Sequence, residues 1–107
     1  MNPPKTLLSW ESTRVPVELA WNQVETICNW LRKNYGFDFH PAEGGGSHYI
    51  LAHDLLRKHK QALINNGYSC GCNNKGEYSL KRESKVKSIY LRNILQAYKL
   101  VKGLKNE

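Results

Sequence analysis

The 107-residue chain reads as one α+β domain in which two amphipathic helices cover one face of a three-stranded antiparallel sheet. Three observations predict this. Apolar residues recur at helical spacing near both ends, from Val17 to Leu31 and from Leu91 to Val101. Between them lie short β-prone runs separated by glycine and asparagine turns. The order helix, strand, strand, strand, helix suits a sheet solvated on one side and packed on the other.

Residues 1–14 (MNPPKTLLSWESTR) sustain neither period and are read as an N-terminal extension, partly ordered at best, with Leu7, Leu8 and Trp10 available to pack on the domain of residues 15–107. Pro16 in a first helical turn, Glu18 beside it, and apolar Val17, Ala20, Val24, Ile27, Cys28 and Leu31 predict the first helix, closed by Arg32, Lys33 and Gly36. Trp21 and Trp30 flank this stripe and are read as packing residues.

Phe37, Asp38 and Phe39 alternate before Pro41 and predict a first strand. A glycine turn at Gly44, Gly45 and Gly46 then runs into a second strand, Ser47 to His53. Period two puts His48 with Ile50 and Ala52, and Ser47 with Tyr49 and Leu51. Both sets are apolar enough to face a core, so the pattern leaves the face of His48 open.

Residues 54–76 form an insertion between the second and third strands. Asp54 is a candidate cap for a short helix carrying Leu55, Leu56, Leu63 and Ile64, and Tyr68 to Cys72 is a candidate hairpin partner for Glu77 to Lys81. Glu77 to Arg82 is the third principal strand. Helical spacing returns at Leu91, Ile94, Leu95, Tyr98 and Val101, capped by Ser88 and stopped by Gly103. This order is also the topology of double-stranded-RNA-binding domains, an analogy of fold that carries no function by itself.

Charge narrows the partners. Sixteen Lys and Arg against nine Asp and Glu give +7, and the excess is one-sided. From Arg57 onward 12 basic residues stand against 3 acidic, whereas residues 1–56 carry 4 basic and 6 acidic. A solvated face accounts for such a run as readily as a polyanionic partner, of which RNA or DNA is the simplest. Neither a signal peptide nor a membrane span is read, and three cysteines argue against a secreted disulfide framework, so a cytoplasmic protein with reduced thiols and no membrane partner is expected. Cys70 and Cys72 lie near His53 and His59 in sequence, but their spacing fits no common zinc module. With no paired carboxylates suited to magnesium either, neither metal nor cofactor is expected.

Two segments carry a family resemblance: GGGSHYILAH, Gly44 to His53, and KVKSIYLRNIL, Lys85 to Leu95. With Gly36 and Phe37 closing a helix at the expected distance before the first, residues 16–101 resemble the HicA toxins of bacterial toxin-antitoxin pairs, also called the YcfA-like family. The likeness does not extend over residues 54–76. Where that family's third strand commonly ends in proline and histidine, this chain has Arg82, Glu83 and Ser84. The resemblance implies a ribonuclease that cleaves messenger RNA and is held inactive by a HicB-type antitoxin, with His48 in the position of the essential histidine.

Metal-free RNA cleavage needs a base for the 2′-hydroxyl, charge stabilisation at phosphorus and an acid for the 5′-oxygen, and an imidazole with an unperturbed pKa of ~6.5 can serve as either proton carrier. His48 is assigned to proton transfer, as base or acid. The Gly45 and Gly46 amides and the Ser47 hydroxyl are candidates for phosphate contact, and Lys81, Arg82, Lys85 and Lys87 for holding the RNA backbone. Tyr49 and Tyr78 can stack on a base or pack in the core. His40, His53 and His59 are read as structural. The alternative to a nuclease is a non-catalytic RNA-binding module.

Overall fold

The computed structural model describes residues 3–12, 14–44, 46–65 and 75–105. The expected helix–strand–strand–strand–helix frame is present with additions at its edges. In chain order the elements are α1 (Lys5–Ser12), β1 (Glu18–Ala20), α2 (Trp21–Tyr35), β2 (Asp38–Pro41), β3 (His48–Ala52), α3 (Asp54–Asn65), β4 (Glu77–Lys81), β5 (Lys85–Lys87) and α4 (Ser88–Lys105). β2, β3 and β4 form a three-stranded antiparallel sheet in that order, and β1 pairs antiparallel with β5 as a separate ribbon.

The first helix starts later than its sequence signals suggest. Pro16 precedes the helix by five residues, because residues 18–20 pair with Lys85–Lys87 and only then does the chain turn into α2. Val17 is consequently 83% exposed, and Ala20 is exposed as well, so neither belongs to the buried stripe of Val24, Ile27, Cys28, Trp30 and Leu31. The segment read as an extension contains α1, which packs against α4 with Leu7 and Trp10 in the common core.

The core lies between one sheet face and α2 with α4. Leu51, Tyr78 and Leu80 from the sheet meet the α2 stripe and Leu91, Ile94, Ala97, Tyr98 and Val101 of α4. Two polar contacts fix α4 along β4: the Tyr78 hydroxyl donates to Gln96 Oε1 at 2.7 Å, and Asn93 Nδ2 donates to the Ser79 carbonyl at 3.1 Å. Trp30 packs against Tyr35 and Tyr98 at centroid distances of 5.5 and 6.1 Å, in keeping with a packing role.

The insertion does carry a helix, but its cap is not Asp54. His53 occupies that role: its Nδ1 accepts from the Leu55 amide at 3.0 Å, and its carbonyl accepts from the Leu56 and Arg57 amides. Nε2 carries the ring proton and donates to the Tyr35 carbonyl at 2.7 Å, which ties the end of α2 to the start of α3. Asp54 is the first helical residue and pairs with Arg57 at 3.0 Å. The proposed hairpin strand Tyr68 to Cys72 and the Cys70–Cys72 pair lie outside the described residues.

Candidate active site

Register settles which way His48 faces. Tyr49 pairs with Leu80 and Leu51 with Tyr78, and these side chains are on the core side, so alternation turns His48, Ile50 and Ala52 to the opposite face. That face carries three rows: Asp38, Ala52, Glu77; His40, Ile50, Ser79; and Ala42, His48, Lys81. His40, His48 and Ser79 are exposed, and Lys81 is half-buried.

The hydrogen-bond phase brings His48 close to Lys81. The Arg82 amide donates to the Ser47 carbonyl at 2.6 Å, which makes Ser47 and Arg82 a hydrogen-bonded pair and the next pair, His48 and Lys81, a non-hydrogen-bonded one. Side chains of such pairs approach most closely in an antiparallel ladder, with Cα atoms about 4.5 Å apart. On the other side of β3 the Ala42 amide donates to the His48 carbonyl at 2.9 Å. The same phase directs the backbone nitrogen of Pro41 toward the outer edge of β2, where its missing N–H breaks no ladder bond.

Beneath this end of the sheet an aromatic plate stiffens the strand. Trp21 lies 4.9 Å from Tyr49 and 6.2 Å from Phe39, and Phe39 lies 5.4 Å from Tyr49. Tyr49 therefore packs on the helix side, and Tyr78 is fully buried. Neither ring lies on the His48 face. Gly44 and Gly46 adopt φ of 90° and 78° in the loop before β3, a conformation that favours glycine, although a Cβ at either would meet open space. The glycines here shape the turn and leave its outside free. Gly45 lies outside the described residues.

The sequence-predicted cations do not all converge. Lys81 stands beside His48, but Arg82 falls on the opposite side, with Cζ 5.9 Å from the Trp21 ring centroid. Lys85 pairs with Glu18 at 3.3 Å across the β1–β5 ribbon, and Lys87 is exposed on the same ribbon with Val86 buried between them. His40 is a member of the His48 face that sequence reasoning set aside; its place follows only once β2 and β3 are aligned. Its Nδ1 donates to the Pro41 carbonyl at 2.8 Å. His53 is engaged at both nitrogens as a structural residue, and His59 is exposed on α3.

Among the described residues no three His, Cys, Asp or Glu side chains gather as a metal-binding group. Burial, with the neighbouring carboxylate of Glu25 second, pushes the Cys28 thiol well above its ordinary range, so it stays protonated within the core. No helix of the described residues is long and apolar enough to cross a membrane. Compared with protein-family models, curated proteins and solved structures, the chain matches none.

Proposed function

We propose that this chain is a HicA-like endoribonuclease that cleaves messenger RNA without a metal and is neutralised by a HicB-type antitoxin. The observation that carries the reading is the placement of His48: an exposed imidazole at the first position of β3, following the glycine turn and directly opposite Lys81 on the sheet face turned away from α2 and α4. The second resembling segment supports it, since Lys85 to Leu95 forms the joint of β5 and α4 in the expected order. The arrangement of α2 and α4 on one sheet face is read as double-stranded-RNA-binding-domain-like, with RNA approaching the other face.

In this reading Lys81 draws the phosphodiester to the sheet and offsets charge on the phosphorane, while His48 moves a proton. The Gly46 amide borders the same strand entry, whereas Ser47, paired with Arg82, turns its side chain to the opposite face and is not part of this contact. One positioned acid or base of this kind contributes ~10² to 10⁴ in rate.

The test is incubation of purified wild type and His48→Ala with RNA in EDTA, with analysis of the fragment ends. The expected result is a 2′,3′-cyclic phosphate formed by wild type, with cleavage at least ~10²-fold slower in His48→Ala. Equal cleavage by both proteins removes His48 from the chemistry. RNA that is bound in a salt-dependent way yet left intact replaces the nuclease with the binding module.

A further inference from the structure

We infer that His40 is a second catalytic residue, so that cleavage runs on two histidines of one sheet face; the inference rests on the ribonuclease reading of His48. His40 stands opposite Ile50, and His48 is two residues before Ile50 on β3, which makes the two histidines diagonal neighbours on the same face. Such diagonals lie about 7–8 Å apart. That distance is between backbone positions; the carbonyl that holds His40 faces the outer edge of β2, so a scissile phosphodiester reached by both rings spans the β2–β3 pair above the sheet, with Lys81 of β4 on the far side of His48.

The ring of His40 is already held in one form. A carbonyl oxygen can only accept, so the 2.8 Å contact to Pro41 requires the proton of neutral His40 to sit on Nδ1. Nε2 is then the unprotonated atom. The backbone contact fixes the tautomer of a general base in the way outer hydrogen bonds do for other working histidines. Among the described residues, the groups that share the face of His40 are few. Its own strand presents Asp38; β3 presents Ile50 and His48; β4 adds Ser79, Lys81 and, at the far end, Glu77. α2 packs behind β2, on the core side.

The step balances without a co-reactant. His40 Nε2 takes the proton of the 2′-hydroxyl as the 2′-oxygen bonds to phosphorus, and protonated His48 gives its proton to the 5′-oxygen as the P–O5′ bond breaks. The products are a 2′,3′-cyclic phosphate and a 5′-hydroxyl, and exchange with water returns both rings to their starting forms.

The test compares wild type, His40→Asn, His40→Ala and His48→Ala on an RNA oligonucleotide across pH. The same oligonucleotide with a 5′-bridging sulfur, whose thiolate leaves without an acid, is run beside it. Asparagine keeps an N–H donor near the Nδ1 position and removes the base. Circular dichroism and thermal unfolding check that each variant is folded. The expected wild-type profile is bell-shaped; both His40 variants lose ~10² to 10⁴ in rate together with the limb that rises with pH. The sulfur substrate is expected to restore His48→Ala and not His40→Asn. Wild type that leaves RNA intact defeats the nuclease reading itself. Wild type that cleaves, with folded His40 variants keeping its rate and bell, overturns the role of His40 alone. Rescue of His40→Asn in place of His48→Ala overturns the division of base and acid.

Discussion

Gly76 shows how a single residue ties the inserted helix to the sheet that carries the site. It is buried just before β4 with φ of 73°, and a Cβ added there would stand 2.6 Å from the Arg57 nitrogen and 3.0 Å from the His53 carbonyl oxygen. Both neighbours are backbone of the first turn of α3, which the His53 ring caps. A side chain at this position therefore meets strain of its own and a wall that cannot swing aside. Gly76→Ala is expected to cost upward of about 2 kcal/mol, from left-handed backbone strain and overpacking together. Thermal unfolding of the variant measures it, and an unchanged midpoint would mean that α3 does not pack on Gly76 as described. Gly46 offers the contrast: the same sign of φ but open space around it, so substitution there strains the turn without a clash.

At the scale of elements, the additions to the frame contribute to its core. α1 brings Leu7 and Trp10, at 0% and 2% exposure, against α4. Trp10→Ala is expected to destabilise the fold by about 3–5 kcal/mol, the usual range for truncating a buried tryptophan. A denaturant titration with an unchanged midpoint would return residues 1–14 to the status of an appendage. The elements legible in the sequence were those in which a period repeats or turn residues bound a short run: α2 from Val24 onward, β2, β3, α3, β4 and α4. α1 spans eight residues, and β1 and β5 span three each, too short for any period to register. Their existence depends on non-local contacts, Leu19 beside Val86 and Trp10 in the core, which no local window contains. The candidate site divides in the same way. His48 was visible through its glycine turn, whereas its face was not, because Tyr49 with Leu51 and Ile50 with Ala52 are both apolar sets. Only the pairing with Leu80 and Tyr78 decides between them.

For the molecule as a whole, the question is what the cationic second half does, since a charge of +7 is neither a site nor a partner in itself. The fold sorts these cations by their surroundings. Lys102 and Lys105 lie over the Tyr98 and Tyr35 rings at 5.4 and 5.7 Å, near the end of α4, where positive charge also suits the helix dipole. Lys85 is paired with Glu18, and Arg82 covers Trp21. Lys81, by contrast, is on the His48 face. If RNA is held at that face, the dependence of binding on salt should report position and not total charge. Each phosphate neutralised on a single strand contributes about 0.7 to the slope of log affinity against log salt. Lys81→Ala is therefore expected to weaken RNA binding and reduce that slope by about 0.7, while Lys102→Ala leaves it nearly unchanged although both remove one positive charge. Binding isotherms over a salt series, measured on the His48→Ala background to prevent cleavage, supply the comparison. Equal losses from the two substitutions would show that RNA responds to the diffuse field of the chain, and the His48 face would lose its claim as the place where RNA sits.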